Sequence, residues 1–183
     1  MSSDRIILGI DPGTTVMGYG VIAVSGSKME MITLGVLKLN KYDDHYIRLK
    51  IIFERTLSLI EQYKPDDLAI EAPFFGKNVQ SMLKLGRAQG AAICAALSRS
   101  VPIFEYSPRR IKQSITGRGA ASKEQVGMML QRILLFREEP ETFDATDALA
   151  VAVCHHFQKD KTTTSKKFSG WKGFISANPE RLR

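Results

Sequence analysis

The amino-acid sequence predicts an α/β fold: a mixed five-stranded sheet, three antiparallel strands followed by parallel strands, flanked by helices. Short apolar runs separated by turns open the chain, which is typical of antiparallel strands. From about residue 44 the apolar positions recur every three or four residues, and strands then alternate with helices. The 183 residues, of which 44% are hydrophobic, suit one domain with a substantial core.

The first three predicted strands cover residues 6–11, 18–24 and 29–39. Pro12-Gly13 ends the first strand, and a Ser-Gly-Ser turn at 25–27 separates the second from the third. The next helix begins at Asp43 or Asp44, either of which can cap it, and ends at Lys64-Pro65. Because this helix permits a parallel crossover, the following strand can lie beside the first.

The remaining elements follow from their boundary residues. Ser107-Pro108 supplies a cap and a first helical position, and Ser122 with Gln125 forms a capping-box pattern. In order, the predicted elements are a strand over 68–71, a helix over 78–98, a strand over 101–106, a short helix from 107, a helix from 122 to about 136 and a last helix from about 142.

Carboxylates stand at the ends of two strands and at the head of the last helix. Asp11 ends the first strand and Glu71 the fourth, and Asp144 and Asp147 share a helix face at spacing i, i+3. An Asx turn at Asp11, a solvated strand end at Glu71 and a favourable helix dipole at the aspartate pair are the structural alternatives. The four acids can converge only if the first and fourth strands are neighbours. Divalent ions with oxygen ligands are then the natural counter-charge, and two such ions about 4 Å apart support in-line phosphoryl displacement.

Composition limits the partners and the compartment. The net charge of +7 favours a polyanion, with nucleic acid ahead of an anionic membrane surface. A chain without a signal-peptide pattern or a membrane-length apolar run is expected to be cytoplasmic, without membrane association. Cys94 and Cys154 are predicted to be two buried thiols with neither disulfide nor zinc spacing, and His155-His156 are predicted helix-end residues rather than a metal pair.

The composition shifts near residue 159. Residues 159–183 contain seven Lys or Arg against two acids, together with many Ser and Thr. Such a segment buries little apolar surface. The predicted division is therefore a folded domain over 1–158 and a basic, mobile tail over 159–183.

Several motifs, taken in order, resemble the RuvC crossover-junction endodeoxyribonucleases of RNase H-like fold. The resemblance spans about residues 6–156 and omits the tail. Some relatives have His at the position of Asp144. The motifs are Gly9-Ile10-Asp11-Pro12-Gly13, Ala69-Ile70-Glu71, Phe74-Phe75-Gly76-Lys77-Asn78, Leu83-Lys84-Leu85-Gly86-Arg87-Ala88-Gln89-Gly90, Ile111-Lys112-Gln113 with Gly117, and Asp144-Ala145-Thr146-Asp147-Ala148-Leu149-Ala150.

This resemblance implies a homodimer that resolves Holliday junctions by paired, symmetric nicks in DNA recombination and repair, leaving 5′-phosphate ends. Asp11, Glu71, Asp144 and Asp147 would hold Mg²⁺, two ions per active site with Mn²⁺ as a substitute. Lys112 and Lys123 would act near the scissile phosphate. A branch-migration helicase complex of RuvA and RuvB is the implied partner beside the four-way junction.

The resemblance also implies a DNA-contacting surface. Phe74 or Phe75 would stack on an unpaired base near the crossover, against the alternative of core packing. The basic residues expected on this surface, any of which can instead be simply solvated, are Lys77, Lys84, Arg87, Arg109, Arg110 and Arg118.

Two other functions stay open on sequence alone. An actin-like or sugar-kinase-like ATPase also places an Asp-x-Gly-Thr-Thr turn after its first strand, but needs a second lobe that 183 residues do not provide. A catalytically inactive junction-binding module is the second alternative. Four retained acids argue against it, because converging negative charge weakens DNA binding.

Overall fold

The computed structural model describes residues 4–73, 78–136 and 143–164. The predicted order of strands and helices is confirmed over these ranges. The elements are β1 (Arg5–Asp11), β2 (Val16–Ser25), β3 (Lys28–Lys38), α1 (His45–Tyr63), β4 (Asp67–Glu71), α2 (Val79–Leu97), β5 (Ile103–Tyr106), α3 (Pro108–Thr116), α4 (Lys123–Leu134) and α5 (Phe143–Thr164).

One mixed sheet runs through the molecule with the strand order β3-β2-β1-β4-β5. The β1–β2 and β2–β3 pairs are antiparallel, whereas β1–β4 and β4–β5 are parallel. Ile10 on β1 lies opposite Ile70 on β4, so Asp11 and Glu71 follow at the same edge of the sheet. The predicted adjacency of the first and fourth strands is confirmed.

Helices cover both faces of the sheet. Leu8 and Ile10 of β1 pack with residues of α1 and α2, while Ile7 packs with α3, α4 and α5. Because side chains alternate along a strand, Asp11 shares the face of Ile7 and Gly9. The strand thus directs its terminal carboxylate toward the helix that carries Asp144 and Asp147.

Helix α5 approaches the sheet closely because glycines lie beneath it. A Cβ added at Gly9 would stand 2.2 Å from the carbonyl oxygen of Ala148, and one at Gly18 would stand 2.0 Å from that of Asp144. Gly18 pairs with Asp11 across the β1–β2 ladder. The absence of side chains therefore allows the first turn of α5 to lie directly over the end of β1.

Gly18→Ala should lower the free energy of unfolding by about 2 kcal/mol or more, because the new methyl group must push the α5 backbone away. Urea denaturation measures this loss. Gly127→Ala is the control, because its Cβ would stand 3.7 Å from Thr146, in ordinary contact, within helix α4. The control should be neutral or stabilise by about 0.5–1 kcal/mol. Equal stability of the two variants would contradict the inference that α5 lies too close to Gly18 to leave room for a methyl group.

The helix caps follow the sequence signals. The Asp44 carboxylate accepts hydrogen bonds from the backbone N–H groups of Tyr46 and Ile47, which identifies Asp44 rather than Asp43 as the cap of α1. Ser107 caps α3, with Pro108 at its first turn. The capping box of Ser122 and Gln125 is present at α4 with both of its hydrogen bonds.

Two predictions about buried and terminal residues were wrong. Cys94 is exposed, because it lies on the outer side of α2; Cys154 is buried. His155 and His156 are buried inside α5 rather than at its end, because the helix continues to Thr164. The helix therefore extends six residues into the segment 159–183 that was predicted as the tail, and residues 165–183 lie outside the described ranges.

A buried polar network connects α5 to three strands of the sheet. Arg5 forms an ion pair with Asp67 and contacts Nε2 of His155, and the other ring nitrogen of His155 lies 2.7 Å from the Tyr106 hydroxyl. Buried charges are tolerated only when paired in this way. The network joins β1, β4, β5 and α5, so its role is to hold the covering helix in register on the sheet.

Among the described helices, none combines the length and the apolar composition that a membrane crossing requires.

Candidate active site

Three aspartates from distant parts of the chain meet at the edge of the sheet. Asp11 ends β1, and Asp144 and Asp147 lie in the first turns of α5. Carboxylate oxygens of the three residues all lie within 4.8 Å of one another. We call this set the acidic cluster; it confirms that the i, i+3 aspartates face the end of the first strand.

Glu71 lies beside the acidic cluster without belonging to that three-residue set. It ends β4, next to β1, and shares the sheet face of Asp11. The charges of Glu71 and Asp11 interact, as do those of Glu71 and Asp147. The fourth predicted acid therefore contributes negative charge from the neighbouring strand.

The crowding of negative charge changes the acidity of two carboxyls. Burial, reinforced by the charges of Glu71, Asp147 and Asp144, raises the pKa of Asp11 to about 8. Burial and the charge of Asp147 raise the pKa of Glu71 to about 7. Without added positive charge, the fold therefore favours protons on these groups near neutral pH.

Two lysines face these acids. The Lys123 ammonium lies 2.5 Å from an Asp147 carboxylate oxygen, and its pKa is raised despite an opposing effect of burial, by hydrogen bonding to Asp147 and by the surrounding carboxylates. The positive charge of Lys112 lowers the pKa of Glu71, against the larger effect of burial. Both lysines that were predicted to be catalytic thus lie near the acids: Lys123 is the first residue of α4, and Lys112 lies within α3.

The donor set suits a divalent cation. Carboxylate oxygens are the preferred ligands of Mg²⁺ and related hard ions. Two ammonium groups do not balance four converging carboxylates, and burial together with this excess of negative charge raises the pKa values of Asp11 and Glu71. The residues therefore fit a site in which bound cations supply the missing positive charge.

The other predicted DNA contacts are distributed over separate surfaces. Arg109 and Arg118 line an open cavity of about 660 Å³ together with Lys112. The charges of Lys84 and Arg87 act on His45, at the start of α1. Arg110 instead donates a hydrogen bond to Gln158 of α5. Phe74, Phe75 and Lys77 lie outside the described residues.

The residues that bring the acidic cluster together were not predicted from the sequence. Gly9, Gly18 and Gly20 are needed for the close approach of α5. Their alternation at 18 and 20 on β2, beside Gly9 on β1, is a signal that could have indicated a helix packed against the strands. Nothing local signals the pairing of Asp67 with Arg5, because their contact depends on the parallel alignment of β1 and β4.

The strand order, the acids at the ends of β1 and β4, and the aspartate pair on the covering helix define the class of RNase H-like proteins. The family model for Crossover junction endodeoxyribonuclease RuvC matches residues 7–155. The chain therefore belongs to the RuvC crossover junction endodeoxyribonuclease family.

Relatives match nearly the full chain. The Crossover junction endodeoxyribonuclease RuvC of Cytophaga hutchinsonii is 63% identical over 180 residues, 98% of this chain and 89% of that protein. The Bacteroides fragilis protein with the same description is 61% identical, over 98% of this chain and 97% of its own length. The family assignment thus does not depend on isolated motifs.

Solved structures agree with the sheet order. Thermus thermophilus RuvC in complex with Holliday junction substrate has a TM-score of 0.81 and 34% sequence identity, covering 87% of this chain and 97% of that chain. The yeast mitochondrial Holliday junction resolvase Ydc2 has a TM-score of 0.65, covers 88% of this chain and 82% of its own, and is 15% identical, so it supports the fold alone.

Proposed function

We propose that this protein resolves Holliday junctions by cutting two strands at symmetric positions, in DNA recombination and repair. The observation that carries the proposal is the acidic cluster beside Glu71 and two lysines, in a chain of the RuvC family. Each cut is hydrolysis of one phosphodiester bond, leaving a 5′-phosphate and a 3′-hydroxyl that a ligase can join. This deoxyribonuclease chemistry needs no nucleophilic side chain.

Asp11, Glu71, Asp144 and Asp147 are the proposed ligands of two Mg²⁺ ions, with Mn²⁺ as a substitute. Bound divalent cations would supply activation of water and neutralisation of charge on the phosphate. The protein contributes the geometry: β1 and β4 present Asp11 and Glu71 from one rigid sheet edge, and α5 adds its aspartates from above. Rigid placement of this kind reduces reorganisation during the reaction.

Lys112 and Lys123 are proposed to contact the scissile phosphate. Lys123 forms an ion pair with Asp147. Its side chain is half exposed, so it can turn to a phosphate oxygen when cations compensate the aspartate charge. An ammonium at that place stabilises negative charge that develops on the phosphate. Arg109 and Arg118 are proposed to bind adjacent backbone phosphates, and Phe74 or Phe75 to stack on an unpaired base.

A homodimer is proposed because a two-fold symmetric enzyme suits a four-way junction cut at two symmetric points. Helix α2 offers a surface for it. Val79 and Leu83 are 64% and 53% exposed, and at Gly86 and Gly90 an added Cβ would meet nothing within 4 Å. These positions, spaced by four, three and four, form a stripe along one helix side that small residues leave open to a second backbone.

Leu83→Glu should convert the dimer to a monomer, because an uncompensated carboxylate would be buried in the contact. Molar mass by light scattering measures the change. Ile32→Glu, at an exposed position on β3, makes the same chemical change away from α2 and should leave the mass unaltered. A Leu83→Glu protein that keeps the dimer mass would exclude this stripe from the interface.

The deciding assay mixes purified protein with a synthetic four-way junction and Mg²⁺. We expect paired nicks at symmetric positions, ligatable ends, and no cutting in EDTA. ATP hydrolysis without DNA cleavage would instead favour the actin-like or sugar-kinase-like ATPase. A gel shift of the junction without cleavage would favour an inactive binding module.

Three further parts of the proposal concern context. A cytoplasmic location is proposed, in keeping with an enzyme that acts on DNA. Cooperation with a RuvA and RuvB branch-migration complex would deliver junctions to the site. The basic segment that follows the nuclease domain, residues 159–183 of the predicted division, is proposed to add DNA affinity through its seven Lys and Arg residues.

A further inference from the structure

A second cavity lies on the outer side of α4, next to the open cavity of about 660 Å³ described above. Its volume is about 330 Å³, and residues of the α3–α4 turn form its opposite wall. Gln125, Met128 and Arg132 occupy one face of α4 at spacing i, i+3, i+7, and Met129 adds to that wall. We call this cavity the Met128 groove. Lys123 leaves α4 on the other side, toward Asp147.

The Met128 groove adjoins the cavity of about 660 Å³. Arg118 lines both cavities. The first cavity also contains Lys112, whose charge acts on Glu71. A chain of positive side chains therefore leads from the active site, through Lys112 and Arg118, into the groove.

The side chains that line the Met128 groove indicate what kind of ligand it can bind. Arg118 and Arg132 provide two cations, and none of the described residues that line the groove is acidic. Met128 is 54% exposed, so its thioether is accessible to a ligand in the groove. Thioethers make favourable contacts with aromatic rings, and Gln125 offers both a donor and an acceptor. Two cations flanking an apolar floor match a nucleotide, with its phosphate and its flat base.

We propose that the Met128 groove holds one nucleotide of the cut strand, beyond the scissile phosphate, with the base on Met128 and the flanking phosphates on Arg118 and Arg132. This inference rests on the proposed junction cleavage and adds a site that positions the substrate. The groove would hold the strand that leaves the acidic cluster, so that thermal motion of the junction arm does not move the scissile phosphate away.

The first test measures junction binding in EDTA at several salt concentrations. Arg118→Ala and Arg132→Ala should each weaken binding and reduce the slope of log affinity against log salt by about one, as expected for one lost phosphate contact. Lys50→Ala removes an exposed charge on α1, across the sheet, and is the control. Its slope should equal that of the wild type.

The second test separates a base contact from a charge effect. Met128→Ala should weaken binding about two- to tenfold with an unchanged salt slope, because no charge is lost. Single abasic sites are then placed in turn along the strand beside the cut. At one position the abasic site and Met128→Ala should be non-additive, because each removes the same contact. Ile32→Ala, also exposed and apolar, should be additive at every position.

Unfolding midpoints of all variants are compared first, so that a loss of fold is not counted as a loss of binding. An unchanged salt slope for Arg132→Ala, or additivity of Met128→Ala at every abasic position, would overturn the inference and leave the groove to a protein partner. Cleavage of the same junction by the wild-type protein distinguishes failure of the groove assignment from failure of the proposed function. If the wild type cuts and these variants match it, only the groove assignment fails; if the wild type does not cut, the proposed function fails as well.

Discussion

Asp11→Asn will reduce junction cleavage by on the order of 10³-fold or more while junction binding is preserved. The amide keeps the shape of the side chain but removes one of the carboxylates that meet within 4.8 Å at the end of β1. Fewer negative charges remain to balance bound cations, so the cations are held less tightly and in a different position. The measurements are single-turnover cleavage in Mg²⁺ and binding in EDTA.

Binding should be equal to that of the wild type or slightly tighter, because the removed charge repels DNA phosphates. Glu71→Gln should behave in the same way. Glu30→Gln is the matched control: Glu30 is exposed on β3, and its ladder partner Ala23 pairs with Ile6, at the end of the sheet opposite to Asp11. Cleavage at the wild-type rate by Asp11→Asn would remove this residue from the active site.

The cation-free protein will lose stability as the pH rises from about 4 to about 8. The pKa of Asp11 is raised from 3.8 to about 8 and that of Glu71 from 4.5 to about 7. The native state therefore binds more protons than the unfolded chain in this window. The stabilising contribution is fully present below the unfolded pKa values and is lost as the pH rises through the folded ones.

Thermal unfolding in EDTA measures the effect, and we expect the midpoint of the wild type to fall by roughly 5 °C or more relative to that of Asp11→Asn across this window. At pH 8 Asp11→Asn should therefore be the more stable protein without cations. Saturating Mg²⁺ should raise the midpoint of the wild type, since a ligand at 100 times its Kd adds about 2.7 kcal/mol. Parallel pH profiles of the wild type and Asp11→Asn would contradict the raised pKa of Asp11.

Much of the fold was predictable because its signals are local. The change from strands to helices, the capping box at Ser122 and the terminal position of Asp11 depend on residues only a few places apart. The crossover helix also indicated that β1 and β4 are neighbours, which the sheet confirms. Periodicity and cap chemistry are properties of short segments, so a single sequence carries them.

The burial of individual residues was less predictable, because it depends on which face of each helix packs against the rest of the protein. Cys94 lies in a helix full of small residues, yet it faces outward, since the inner side of α2 is occupied by Ala88, Ala92 and Ala96. His155 was expected near a helix end, but the helix continues, and Arg5 and Tyr106 supply partners from two strands. These contacts join segments that are far apart in sequence.

By itself, the sequence determined the elements, their order and the four acids that they carry. The tertiary structure alone decided how closely those acids approach, because the distance depends on three glycines that let α5 lie on β1 and β2. It also decided that Lys123 pairs with Asp147 and that Arg118 joins two cavities. Local propensity acts within a few residues, whereas these distances result from the packing of a helix on a sheet.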